Sequence, residues 1–439
     1  MGYGMVEVVI CLLGLILLMS TYPRLVYPLF IILMLGTEFF YIDIGGGVAR
    51  PYQFVAVLVV VLLAKHLHRL ISSRVFQALL LLVAVSIFAA LMSSAPSQAL
   101  ASLTSFLANI AVAIATALIL LSGKLDEVKV KRLVIGMTIV SVGLGLMQIV
   151  AFKLGGINLA LSPEQMKQVA VGFGPGFWTE ANTFGKYMVV PFFLLLPDYF
   201  GRWRQYIGVV YLILLTGILM NFTRSAIYGM VIASVYVVIW FAYQRKLAIL
   251  TRRGTWLVVT TTVALTLILG NVLGVSNYAK FKVENFFDQE ELVGGTSSAY
   301  RLQAMQTVLE SSLSSPKMLT IGNGWGQTYT RIQGVDVQAG GGDLINLLGY
   351  SGLLGVIAYL AFMLAAFLAL RRSALLEVNT VRARFATGAM FALVSVFVTA
   401  QISGYLISPA YWMLIGFCIY LDKTNQYSVA RAGQRQKAG

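Results

Sequence analysis

Three observations predict that this chain is an all-α polytopic membrane protein. Its 439 residues are 59% hydrophobic and 11% charged, less than half the charged share of a soluble domain, about 25%. The apolar residues fall into runs near the length of a bilayer-spanning helix, about 20 residues. Lys and Arg collect in alternate connections between those runs, the pattern that orients membrane helices.

In order, the runs lie near 5–21, 25–42, 52–64, 76–93, 99–121, 133–152, 182–200, 205–222, 226–244, 255–273, 344–369, 385–402 and 407–421. They predict about 13 transmembrane helices, within a range of 12–14 because the first, third and last runs are short. The first run has no cationic start, and Ser20-Thr21-Tyr22-Pro23 does not resemble a cleavage site, so a cleaved signal peptide is not expected.

Segments 22–24, 65–74, 123–132, 200–204, 245–253, 371–384 and the tail from 422 hold 22 of the 32 Lys and Arg residues. They are predicted to be cytoplasmic, which puts the N-terminus outside. The net charge of +15 is then a matter of topology and of attraction to anionic lipid, without nucleic acid. Cys11 and Cys418 fall inside apolar runs and read as packing residues, giving neither a disulfide framework nor a metal cluster.

The chain reads as a single membrane domain, 1–439, with two long connections, both external: 154–181 and 274–343. In the first, Ser162-Pro163-Glu164-Gln165 reads as a helix start, with Ser as cap, Pro at the first position and Gln reaching back. The second, 274–343, is the large external loop. It contains an amphipathic helix over about 299–314, with Leu302, Met305, Leu309 and Leu313 as its apolar stripe. That helix is expected to lie on the membrane surface or to cap the bundle. A loop of this length is usually functional. Residues 422–439 form a short basic tail on the cytoplasmic side.

Residues 205–244 contain one charge, Arg224, between the cations Arg202 and Arg204 before and Arg245 and Lys246 after. The stretch reads as two spans with a turn near 221–225, so Arg224 sits at the external face, where orientation does not require a cation. It is either a snorkelling anchor or an anion clamp whose planar, bidentate donors suit a diphosphate. Arg301 follows Thr296, Ser297 and Ser298 at a helix start, where free N–H groups and the dipole favour phosphate; a solvated surface arginine is the other reading.

Glu180 begins a span after Gly172-Phe173-Gly174-Pro175-Gly176. It is either a dipole-favoured helix acid or a carboxylate for sugar hydroxyls, with Phe177 and Trp178 as stacking surfaces. Lys186, six residues on, is a candidate for the same cavity. Asp343, after Gly340-Gly341-Gly342, is either a helix cap or a base for an attacking hydroxyl. Arg50, with Glu38 and Asp43 nearby, adds charge to the external side. Deep positions are almost purely apolar, so chemistry is expected at the external interface.

Gly322-Asn323-Gly324-Trp325-Gly326 is no nucleotide fingerprint, since no strand precedes it and no lysine follows. Lys65-His66-Leu67-His68-Arg69 reads as an interface cluster. Cofactor and metal signatures are absent from the sequence.

Four segments together resemble the O-antigen ligase and Wzy polymerase superfamily. Residues 215–226, with Asn221-Phe222-Thr223-Arg224-Ser225, look like its T-x-S-R-[SG] segment. Phe177-Trp178-Thr179-Glu180-Ala181-Asn182 is similar to its f-x-E-[PA]-[NS] span start. Arg301, Pro316 and Ile321-Gly322-Asn323-Gly324-Trp325-Gly326 resemble its R-x-x-x-w…P-x-x-G-x-G-x-G loop. Asp343 to Leu348, then Gly352-Leu353-Leu354-Gly355, resemble its l-l-x-x-x-G-l-l-G helix. The likeness covers roughly 130–400.

The resemblance implies a GT-C-like fold in the bacterial inner membrane, multi-pass, with the active site facing the periplasm. It implies a metal-independent glycosyltransferase without cofactors, acting on undecaprenyl-diphosphate-linked oligosaccharides. The protein partner it suggests is a chain-length-regulating co-polymerase of the Wzz type. Ligases of the family place a His-Asn pair about eleven residues before the first Gly of G-l-l-G, and here Gly340-Gly341-Gly342-Asp343 stands instead. That favours a polymerase of O antigen or exopolysaccharide over a ligase acting on lipid A core or protein; a lipid-linked saccharide flippase is the reading outside the class. The candidate catalytic residues are Arg224, Arg301, Glu180 and Asp343, and the candidate substrate-binding residues are Lys186, Arg50, Trp178, Asn182 and Trp325.

Overall fold

The computed structural model describes residues 21–22, 24–36, 42–44, 47–161, 163–170, 173–178, 181–201, 205–221, 223–244, 298–326, 330–332, 335–337, 341–376, 380–404, 406 and 408–438. In chain order the helices are α1 Val26–Gly36, α2 Pro51–Leu62, α3 Arg74–Leu91, α4 Pro96–Leu121, α5 Glu127–Gly155, α6 Pro163–Ala170 and α7 Ala181–Gly201. Then come α8 Gln205–Asn221, α9 Arg224–Tyr243, α10 Ser298–Leu313, α11 Pro316–Ile321, α12 Asp343–Leu376, α13 Val381–Ser403 and α14 Pro409–Ala438.

Among the described residues six helices are long and apolar enough to cross a membrane, namely α3, α4, α5, α9, α12 and α13. The chain is therefore an α-helical membrane protein. The count of 13 is not reached among these residues, because the expected spans 5–21 and 255–273 lie outside them. In addition α1 and α2 have 11 and 12 residues, about 17 and 18 Å against a hydrocarbon core of about 30 Å. The all-α expectation needs one amendment. Two antiparallel hairpins of three-residue strands occur, β1 Ile42–Ile44 with β2 Gly47–Ala49 and β3 Thr330–Ile332 with β4 Val335–Val337.

Helix starts follow local chemistry. Ser73, Asp126, Ser315 and Thr380 accept the N–H three residues on, at 3.3, 2.7, 3.1 and 3.1 Å, and Pro51, Pro96 and Pro316 open their helices where no donor is needed. α13 is the central helix, packed on α7, α9 and α12, while α14 lies on α4.

One end of the bundle is closed by charge. Lys131 and Arg384 both pair with Asp198, the second at 3.1 Å. Arg382 Nε lies 3.2 Å from Glu127, which also accepts from Tyr420 at 2.6 Å. Asp422 accepts from Ser73 Oγ and the Arg74 N–H at 2.9 and 2.7 Å, capping α3 from the far end of the sequence. These contacts join segments 65–74, 123–132, 371–384 and the tail, so these four basic segments share one end of the molecule; we term it the inner end.

α10 forms where an amphipathic helix is expected, but its buried face is rotated. It packs on α12 and α11 through Ala304, Val308 and Ser312, leaving Leu309 and Leu313 exposed. Leu302 lies outside the described side chains, and Met305 is half-buried. Close helix packing selects small residues, and in a bilayer the large apolar ones face lipid at no cost.

Candidate functional site

α12 is not straight. At Gly352 the backbone takes φ +63°, ψ −162°, a conformation open essentially to glycine alone. Beyond it, the Tyr359 hydroxyl lies 3.4 Å from Asp343 Oδ2, although the two are 16 residues apart. On an unbroken helix that separation is about 24 Å, so α12 must fold back into a short limb, 343–351, and a return limb, 353–376.

The reversal frees carbonyls that a continuous helix would use, and the loop after α11 collects them. The Asn323 and Gly324 N–H groups donate to Gly349 and Tyr350 carbonyls at 2.8 and 3.1 Å, and Ser93 Oγ donates to the Asn323 carbonyl at 2.8 Å. Gly322, at φ +81°, approaches so closely that a methyl there would lie 2.6 Å from the Ser351 nitrogen. The glycine-rich 322–326 segment is thus a backbone clasp for the reversal.

This bend corrects the position of Asp343. The crossing limb begins at 353, not near 344, and Tyr359 lies about 10 Å inward of Gly352 and about 18 Å outward of Arg371. Asp343, beside Tyr359, is therefore drawn back along the return limb, and it is 1% exposed. Its other oxygen, Oδ1, lies 3.4 Å from the Leu406 N–H in the α13–α14 connection. The connection and the last turn of α13 before it are each tied once more. Gln401 Oε1 accepts from the Leu344 N–H at 3.3 Å, and Trp412 Nε1 donates to the Leu406 carbonyl at 2.7 Å.

Lys186 reaches the same connection. Its Nζ donates to the Ser403 carbonyl at 2.6 Å, and it stands about 18 Å outward of Asp198 along α7. The segment carrying Arg224 arrives from a third side. Gly185 is pressed on Thr223, and a methyl at Gly229 would lie 2.6 Å from the Ser395 carbonyl of α13. α9 and α13 run antiparallel there. Arg224 is about 7.5 Å outward of Gly229 and Ser403 about 6 Å outward of Thr399, so the start of α9 is level with the 403–406 connection. Among the described residues, Asn221 Oδ1 and Thr223 Oγ1, in the turn before Arg224, are buried without a hydrogen-bond partner. Each such group costs roughly 1–3 kcal/mol.

The structure therefore gathers the segments of Arg224, Lys186 and Asp343 around residues 403–406. Thr183, Lys186, Asn346, Gln401 and Ser403 are all partly exposed at this depth. Polar side chains and broken helices at membrane depth are tolerated where they line a polar cavity or pack within protein. A cation and a carboxylate held at one recess can bind an anionic group and move a proton beside it.

The other candidates fall elsewhere or outside view. Glu180 and the side chains of Arg224, Arg301 and Asn182 lie outside the described residues; Arg301 belongs to the first turn of α10 and Asn182 to that of α7. Arg50 precedes α2, where its N–H meets Gln53 Oε1 at 2.9 Å, and Gln53 in turn donates to Asn109 of α4 at 3.2 Å. Trp178 is buried and stacked on Tyr187 at 4.7 Å; Trp325 is buried between Phe106 and Tyr350 at 4.6 and 4.8 Å. Neither ring has a face open to a sugar in this conformation. Gln165 does reach back, to the Leu161 N–H at 2.7 Å, and also pins the Gly-rich approach through the Trp178 carbonyl at 2.6 Å.

Sequence reasoning missed Tyr359, Tyr411, Gln401 and the 403–406 connection. Gln401 inside an apolar run and the helix breakers Gly404 and Pro409 were the available signals; the tyrosines gave none. Among the described residues no group of three His, Cys, Asp or Glu side chains is placed to hold a metal ion. No family model and no curated protein matches the chain. Fold and site together define a class: an α-helical membrane protein in which Lys186 and the buried Asp343 meet one helix connection, away from the ion-paired end of the bundle.

Proposed function

We propose that the protein is a lipid-linked glycan polymerase of GT-C-like architecture with about 13 spans, its recess facing the periplasm from the bacterial inner membrane. The observation that carries this reading is the convergence of the Arg224, Lys186 and Asp343 segments on one recess. A growing glycan on undecaprenyl diphosphate is the donor, and a sugar hydroxyl of a new lipid-linked repeat unit attacks it. Arg224, with Arg301, holds the diphosphate; Lys186 keeps the recess cationic and fixes the Ser403 carbonyl.

The attacking hydroxyl forms the new glycosidic bond as the bond to the diphosphate breaks. Its proton passes to a carboxylate, Asp343 or Glu180, and then to solvent, while the diphosphate leaves with the electron pair. Cations aimed at the leaving charge supply roughly 3–4 kcal/mol each.

Purified protein incubated with a lipid-linked repeat unit tests this directly. A ladder of products is the expected result, and Arg224→Lys should lower chain extension at least about a hundredfold without loss of folding. Product made only with a lipid A core or protein acceptor would identify a ligase, and movement between leaflets without new bonds a flippase. Near wild-type extension by Arg224→Lys defeats the role given to Arg224.

A further inference from the structure

We propose that Tyr359 is a positioning residue that clamps the Asp343 carboxylate across the α12 reversal, with Tyr411 behind it. The proposal rests on the reading of Asp343 as a proton acceptor, and it concerns how that group is delivered and held.

Two elements meet the carboxylate. Tyr359, on the return limb, faces Oδ2, and the Leu406 N–H, before α14, faces Oδ1, both at 3.4 Å. Both contacts are at the long end for hydrogen bonds, as is common in sites that tighten when substrate arrives. An ionised carboxylate has about four acceptor positions, so its two oxygens can be held from different elements at once. The Tyr359 ring is fixed in turn. It stacks on Phe397 of α13 at 6.5 Å and 20° and meets Phe362 at 6.5 Å, and it is fully buried.

Tyr411 completes the clamp. It is fully buried and hydrogen-bonded to Tyr359. Its hydroxyl also meets the Met363 sulfur at 3.3 Å, a weak acceptor that passes no proton on. The chain Asp343–Tyr359–Tyr411 thus backs the carboxylate with two fully buried rings. Among the described residues the other titratable groups placed near Asp343 include Tyr350 on its own helix and Lys186 beyond the Ser403 peptide, while α13 contributes the neutral Gln401.

Infrared difference spectra of the full chain in lipid, wild type minus Asp343→Asn, isolate the Asp343 carboxyl bands without any need for activity. Tyr359→Phe keeps the ring and deletes the hydroxyl, and it should shift those bands; Tyr420→Phe, whose hydroxyl donates to Glu127 at the inner end, should not. In the chain-extension assay Tyr359→Phe should lower kcat between about tenfold and a hundredfold with KM for the donor unchanged, the loss expected of a displaced reacting group. Unshifted bands in Tyr359→Phe overturn the clamp. Shifted bands with unchanged kcat overturn its role in the reaction. If the wild type extends no glycan, the proposed function fails, while the band shift still decides the clamp.

Discussion

Replacing Gly352 with alanine tests the reversal on which the recess depends. Two costs add. The conformation at φ +63°, ψ −162° is one a side chain enters only under strain, at about 1–3 kcal/mol. The added methyl would also overlap the Thr320 carbonyl and lie 2.5 Å from the Ile321 nitrogen. These are backbone atoms that cannot swing aside, and such overpacking costs about 1–3 kcal/mol more. The sum is about 2–6 kcal/mol, a large share of the stability of an ordinary domain. Gly143→Ala is the matched control, because a methyl there meets nothing within 4 Å; as a helical Gly-to-Ala change it should be neutral or stabilising by about 0.5–1 kcal/mol. Unfolding of both variants in mixed micelles against rising SDS, followed by tryptophan fluorescence, gives the comparison. Equal midpoints for Gly352→Ala and Gly143→Ala would refute the reasoning. They would mean that residue 352 is helical and that Asp343 and Tyr359 stand about 24 Å apart.

Two further outcomes follow from the two ends of the bundle. Asp198→Asn strands Lys131 and Arg384, whose side chains are 10% and 25% exposed. It should cost about 2–3 kcal/mol in the same unfolding assay, whereas Asp126→Asn, in a pair exposed by 62% and 52%, should change little. With Cys11 and Cys418 replaced, Asn346→Cys should react with an impermeant maleimide added to the external side, and Leu82→Cys, fully buried on α3, should not. Labelling of Asn346→Cys only from the inside would invert the orientation.

The long apolar runs made α3, α4, α5, α9 and α13 legible, because periodicity and flanking charge fix a helix that has no other way to satisfy its backbone in lipid. The inner end was legible as well. Lys131, Arg382 and Arg384 were assigned there by sign and spacing, and the structure joins them to Asp198 and Glu127. The recess was less so. Hydropathy runs through 344–369 without a break, and Gly352 reads as one more small residue in Gly352-Leu353-Leu354-Gly355. Its reversal depends on Asn323 and Gly324, some thirty residues away in the chain, and no local pattern encodes that docking. Asp343 was read as the start of an unbroken span, whereas the kink at Gly352 brings it back beside Tyr359. Tyr359 and Tyr411 gain their meaning only from the fold, since an aromatic ring inside an apolar run is ordinary.

The short limb 343–351 also constrains how the protein is made. Nine residues are too few to be taken up as a span, so the insertion machinery has only the return limb to recognise when this region leaves the ribosome. The clasp at 322–326 precedes it in the chain, so Asp343 meets its tyrosine only where the short limb folds back beside the crossing limb and docks on that clasp.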